Sequence, residues 1–308
     1  MSYHFVDISE PDAVVSVKDR QLVCRTKDGR VRSVPLEDVG AVLVTSFSAL
    51  LHNSFLVEAA KARTAVVLCE RFKPVSVLLP VVRGGDTLLT RAQISASPRL
   101  RETLWRKTID AKVANQFTLL ESLSDDRALL DAFRSHAKRT DPGREGNCAR
   151  LYWEGLAARL GEDRFRRCRE GDGLNALLNY GYGVLLTRVL QKMLAIGLDP
   201  MYGVGHAVRE RAAPLAYDLM EPFRPVFDRG VVAWVEDRAA TGDRLVVDAG
   251  FKRAMLELVH RREPAKDGSS LSLDHALDRS IGSLREAFLT GKTTIYKPWI
   301  RRSSKWDG

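Results

Sequence analysis

One change of pattern divides this sequence. Up to about residue 90, short runs rich in Val and Leu alternate with turn signals; past the Gly84-Gly85 break, helix formers follow in long amphipathic runs. A chain that keeps strand-like segments at one end and helix-like segments at the other folds as α+β, with sheet and helices segregated. The expectation is a small amino-terminal β-rich domain over 1–90, a larger all-α domain over 91–291, and a basic, aromatic tail over 292–308. In the first block, KDRQLVCRTK and GRVRSVPL flank Lys27-Asp28-Gly29, a hairpin signal. GAVLVTS, TAVVLCE and VSVLLPV are continuously apolar and read as strands covered on both faces. SALLHNSFLVEAAKA sets Leu51, Phe55, Ala59 and Ala62 along one helical stripe, so a helix lies on the sheet, and His52 and Asn53 at its start are expected to make buried hydrogen bonds.

Beyond the break, Ser97 caps a helix that Pro98 opens, and Leu100, Leu104, Ile109, Val113, Phe117 and Leu120 form its core face. Arg99, Arg101, Arg106, Lys107 and Lys112 crowd the remainder, either as DNA contacts or as a solvated face. Further helices follow in DDRALLDAFRSHAKR, CARLYWEGLAARL, a long apolar run ending at Gly197, a segment opened by Pro214, and three more before residue 291. GKT at 291–293 is no phosphate loop, because Glu286 stands where glycine is required.

Charge narrows the partners. Lys and Arg number 48 against 39 acids, a net +9, which favours a polyanion. Cys24, Cys69, Cys148 and Cys168 lie far apart, which suggests neither a zinc finger nor a disulfide framework and fits a reducing cytoplasm. The amino terminus has no signal-peptide pattern and no apolar run approaches a membrane span, so neither export nor insertion is expected.

The residues with chemical potential gather in two places. In MYGVGHAVRERAAPLAYDLMEPFRPVFD, His206 follows a glycine-rich turn, and Asp218 and Glu221 share one helical face. Upstream, Glu154 sits in LYWEGLAARL among Leu151, Ala157 and Ala158, where an ionised acid calls for a cation nearby. One imidazole and two or three carboxylates suit Mg2+ or Mn2+. The same residues also admit a plain reading, in which Glu154 pairs with Arg150, His206 caps a loop, and Asp218 pairs with Arg211 or Arg224.

The ordered motifs WEG, NALLNYGYGVL, GLDPMYGVGH and LAYDLMEPFRPVFDR, with HNSFLVEAAKARTAVVLCERFKPVSVLLP ahead of them, resemble the CRISPR-associated DNA integrase family, the larger subunit of the spacer-acquisition complex, in a compact type II-like form. The resemblance implies a metal-dependent endonuclease and integrase that joins 3′ hydroxyl ends of short duplex DNA to a CRISPR repeat. It makes Glu154, His206 and Glu221 ligands of Mg2+ or Mn2+, with Asp218 tuning that shell. It also points to Asn175 and Tyr180 as substrate contacts, a homodimer paired through amino-terminal domains, a small partner subunit dimer, and in some relatives an RNA-guided effector nuclease. Arg224 and, in the tail, Lys292, Lys297 and Arg301 are candidate DNA contacts, with Tyr296, Trp299 and Trp306 interleaved for stacking on bases or docking on a partner. Two rival readings remain: a noncatalytic DNA-binding scaffold, and a branched-DNA repair nuclease using the same residues.

Overall fold

The structure, a computed structural model, describes residues 4–62, 64–70, 73–78, 87–162, 165–168, 171–206, 213–239 and 245–303. The chain forms two compact units: Met1–Ala96 with Gly183–Tyr217, and Ser97–Tyr182 with Asp218–Gly308.

The first unit holds two four-stranded sheets. β1 (His4–Ile8), β5 (Val39–Val44) and β7 (Ala65–Glu70) run parallel, and β8 (Lys73–Leu78) closes the edge antiparallel to β7. Every residue of β5 is buried, as its unbroken apolar run requires of a central strand. The second sheet is a meander of β2 (Val14–Lys18), β3 (Gln21–Arg25) and β4 (Val31–Pro35), with short β6 (Leu50–Leu51) parallel to β2. The expected turn at Asp28-Gly29 joins β3 to β4, with Gly29 at φ 86°. A second hairpin turn, unmarked by glycine, splits KDRQLVCRTK: Asp19 and Arg20 both take left-handed backbone between β2 and β3.

Between the sheets lies α1 (Asn53–Lys61), packed on β2 and β7 through Phe55 and Ala59. His52 and Asn53 at its start are exposed, and His52 makes no capping bond, so the expected buried hydrogen bonds are absent there. The sequence also concealed α2 (Thr87–Ile94), whose buried Gln93 matters below.

The second unit is built on α3 (Pro98–Leu123), capped by Ser97, with α4 (Arg127–Ala137), α5 (Arg144–Leu160) and α8 (Arg224–Ala239) around it. Two helices contribute to both units, α6 (Leu174–Ala195) and α7 (Pro214–Met220). α9 (Ala249–Leu258), a small hairpin of β9 (Arg262–Pro264) and β10 (Ser270–Ser272), and α10 (Leu273–Thr290) complete the order. Gly155, in the WEG motif, lets α5 approach α3, since a Cβ there would overlap Leu120 Cδ1 in the core. Gly155→Ala gains about 1 kcal/mol of helix propensity but overpacks the contact by about 1–3 kcal/mol. A net loss of about 1 kcal/mol is expected in urea unfolding.

The segment after α10 is not a free tail. Tyr296 and Trp299 are buried, the Tyr296 hydroxyl lies 2.9 Å from Thr108 Oγ1, and Lys107 Nζ donates to the Thr293 and Tyr296 carbonyls at 2.7 Å. Trp299 stacks on Phe223 at 5.5 Å. These two rings fill the unit's own core and cannot stack on bases; Lys305 and Trp306 lie outside the described residues.

Candidate active site

His206 belongs to the first unit, at the end of a loop that α2 holds in place. The buried Gln93 amide grips the Asp199 backbone at both ends, donating to its carbonyl (3.0 Å) and accepting from its N–H (2.9 Å). Gly197, at φ 81°, turns the chain out of α6, and Leu215 N donates to Pro200 O at 3.0 Å, tying the start of the loop to α7. His206 is half-buried, its ring 6.3 Å from that of Tyr217. Arg211, one of the expected partners of Asp218, lies outside the described residues.

The three carboxylates belong to the second unit, and their surroundings differ sharply. Glu154 is exposed, contrary to the expected apolar setting, because its turn of α5 presents it outward while Tyr152, Gly155 and Leu156 face the core. Arg150 Nη1 donates to Glu154 Oε2 at 3.0 Å, one turn earlier on the same helix. Asp218 is 1% exposed near the carboxyl end of α7, and Glu221 is 4% exposed at the head of the 3-10 turn Glu221–Phe223.

A carboxylate buried this deeply needs compensation, and Glu221 has it on both oxygens: Lys112 Nζ at 2.8 Å from Oε2 and Arg224 Nη2 at 3.1 Å from Oε1. The Lys112–Glu221 contact is an ion pair, and the hydrogen bond of the ammonium goes to Glu145 Oε1 at 2.7 Å. Burial would lower the Lys112 ammonium, yet Glu221 and then Glu145 hold it above its ordinary range. The backbone of the turn is fixed as well: Asn115, one turn along α3 from Lys112, donates to Pro222 O (2.6 Å) and Trp299 O (3.1 Å) and accepts from Arg301 N (2.7 Å). Of the basic face of α3 expected to be solvated or to touch DNA, Lys112 instead braces the Glu221 turn, whereas Arg99 and Arg106 are exposed.

Behind this turn lies a second buried acid. Asp228, 1% exposed on α8, accepts from Tyr152 (2.6 Å) and from Tyr182 (2.5 Å). Burial pushes it up to about 6 against the opposing pull of the two hydroxyls, Arg167 and Arg224. The Arg224 guanidinium lies 4.7 Å and the Arg167 guanidinium 5.3 Å from the Tyr182 ring centre. A continuous chain of contacts therefore runs from Asp228 through Tyr182 and Arg224 to Glu221.

The remaining expected contacts fare variously. Tyr180 is fully buried, its ring 5.9 Å from that of Phe251. Asn175 is buried, accepting from Arg167 Nη1 and Cys168 N and donating to Arg166 O, each at 3.0 Å. Lys292 and Lys297 are exposed, whereas Arg301 is paired to the buried Glu263 at 3.0 Å. Within either unit, among the described residues, no three His, Cys, Asp or Glu side chains form a ready-made metal shell. Nor is any helix among them long and apolar enough to cross a membrane.

Gln93, Asn115 and Asp228 escaped the sequence reading, and Lys112 was read only as a DNA contact or part of a solvated face. Only Gln93 had a local signal, as a polar residue in a short helical run, and it was hidden by the Gly-Gly break before it.

Comparison with known proteins fits this arrangement. The family model described as CRISPR associated protein Cas1 matches residues 6–263. A "CRISPR-associated endonuclease Cas1" from Neisseria meningitidis serogroup C (strain 8013) is 28% identical over 276 residues, covering 88% of each chain. Among solved structures, a casposase bound to integration product has the same fold, with TM-score 0.78 and 19% identity over 100% of this chain and 96% of that one. So does a chain of a Cas6-RT-Cas1–Cas2 complex, with TM-score 0.79 and 15% identity over 97% of this chain and 36% of that one. The matched span takes in the Glu154 helix, the His206 loop and the Asp218-x-x-Glu221 turn, and the chain belongs to the Cas1 family of CRISPR-associated proteins.

Proposed function

We propose that this protein is a metal-dependent DNA endonuclease and integrase of CRISPR adaptation, which joins 3′ hydroxyl ends of short duplex DNA to a CRISPR repeat by transesterification. The observation that carries the reading is Glu221, a buried carboxylate with a cation against each oxygen, three residues from the equally buried Asp218. The donor set suits a hard divalent ion: carboxylate oxygens from Glu154 and Glu221 and an imidazole nitrogen from His206 would hold Mg2+ or Mn2+, with Asp218 beside Glu221 tuning the shell. Such an ion, when bound, supplies Lewis-acid neutralisation of charge on the phosphate and the leaving oxygen.

One of the chain's own cations serves the same end. Arg224 is half-buried and held against Tyr182, so its guanidinium enters a reaction already oriented. Arg150 only pairs with Glu154 on the exposed face of α5 and takes no part in the chemistry. In the joining step the attacking 3′ oxygen forms a P–O bond and loses its proton, the bond to the displaced 3′ oxygen breaks, and that oxygen takes up a proton. One phosphodiester replaces another, so no nucleotide hydrolysis is needed.

Double-stranded DNA is the substrate in this reading, drawn by the net charge of +9. The partners are a second copy of the chain and a small Cas2-type subunit dimer, by analogy with the complex that shares the fold. An RNA-guided effector nuclease is a further companion, and the cytoplasm is the place of action. The scaffold alternative draws on one observation, the Arg150–Glu154 ion pair, which gives Glu154 a purely structural occupation. Incubation with 3′-hydroxyl duplex, a supercoiled repeat-bearing plasmid, the small subunit and Mn2+ should yield covalently joined DNA, and a chelator should abolish it. Cut strands alone would make the protein a repair-type nuclease, and binding without covalent change would make it a scaffold.

A further inference from the structure

We propose that Lys112 is a built-in counter-ion of Glu221, which a divalent cation must displace, and that Glu145 is the acceptor to which the ammonium moves. The inference rests on Glu221 being a metal ligand. Lys112 is half-buried on α3, its side chain 13% exposed and its ammonium between two carboxylates, 2.8 Å from Glu221 Oε2 and 2.7 Å from Glu145 Oε1. The two acceptors are unlike: the Glu221 side chain is 5% exposed, whereas that of Glu145 is 38% exposed.

Glu145 lies in the first turn of α5, at the positive end of the helix dipole. A flexible four-carbon stem lets the ammonium shift toward Glu145 without moving α3, and the shift takes it toward water. Arg224 cannot substitute in this exchange, because it is committed to the other Glu221 oxygen and to the Tyr182 ring. With no divalent ion bound, the lysine offsets the charge of the buried Glu221 carboxylate. Once an ion arrives, the same charge repels it, so metal affinity is set by how readily Lys112 is handed over.

Two substitutions with opposite expected signs test this, read as Mn2+ affinity of the full-length protein by calorimetry or by the resonance of free Mn2+ near neutral pH. Lys112→Met keeps the aliphatic stem and removes the charge, and should bind Mn2+ about tenfold more tightly than wild type, with a larger Mn2+-induced rise in Tm. Glu145→Gln, at a partly exposed position, removes the alternative acceptor and should bind Mn2+ about threefold to tenfold more weakly. Equal or weaker binding by Lys112→Met overturns the proposal; should that variant not fold, unchanged affinity in Glu145→Gln does so. A separate result would strike the underlying reading: if Glu221→Gln binds Mn2+ as wild type does, Glu221 is no ligand and both fall together.

Discussion

Glu154→Gln should leave the protein folded and bound to DNA but slow strand joining at least about a hundredfold, the equivalent of about 3 kcal/mol of transition-state stabilisation. The two halves of this expectation come from different physics. Glu154 is exposed and its partner Arg150 sits one turn away, so losing the pair costs at most about 0.5 kcal/mol of stability. Gln keeps the shape and one acceptor oxygen but gives up the charge that a divalent ligand needs. Arg150→Ala breaks the same ion pair while leaving the carboxylate, and serves as the control. Activity lost in Glu154→Gln and retained in Arg150→Ala assigns the acid to catalysis; equal activity in both returns it to the helix surface. Parallel loss in His206→Ala and Glu221→Ala, measured in the same joining assay, would complete the set. Glu221 is the less clean probe, because its removal also strands Lys112 and Arg224.

Asp228→Ala should cost about 3 to 5 kcal/mol in urea unfolding, the largest stability effect expected from a single polar residue of the second unit. Tyr152 and Tyr182 both donate to this one carboxylate in a fully buried site, and each hydroxyl left without an acceptor costs about 1–3 kcal/mol. Tyr152→Phe and Tyr182→Phe should each cost less, since the orphaned donor leaves with the substitution.

The pH dependence has a definite sign. The folded value of about 6 lies above the ordinary 3.8, so the folded state holds this proton more tightly than the unfolded chain. The stabilising contribution is full below the unfolded value and is lost as pH rises through about 6. Between pH 7 and pH 5 wild type should therefore gain about 1 kcal/mol relative to Asp228→Asn. A parallel pH profile for the two proteins would show that Asp228 does not titrate in this range.

Much of the architecture was readable from pattern alone. The Ser97-Pro98 start of α3, the glycine just past the end of α6 and the proline that opens α7 are local signals, and each marks the end of a helix. The site was legible only as a set of residue types. Periodicity says which face of a helix is apolar; it does not say that one lysine among five basic residues on α3 turns inward to meet a glutamate far along the chain. The same holds for Asn115, bonded to a carbonyl 107 residues away, and for Asp228, whose two tyrosines come from separate helices. Glu154 shows the converse error. Its small apolar neighbours suggested burial, but residues three and four away on a helix can flank an acid that points outward. The segment after α10 misled through composition, because aromatics between lysines resemble a stacking surface until the rings are found beneath α3.

That segment also bears on how the protein is made. Tyr296 reaches Thr108 across 188 residues of sequence, and Asn115 waits 184 residues for the Trp299 carbonyl. A nascent chain leaving the ribosome thus carries its acidic turn for a long interval before the last brace arrives. Translation halted upstream of that segment would release a product with all three proposed ligands present and the scaffold beneath Glu221 unfinished.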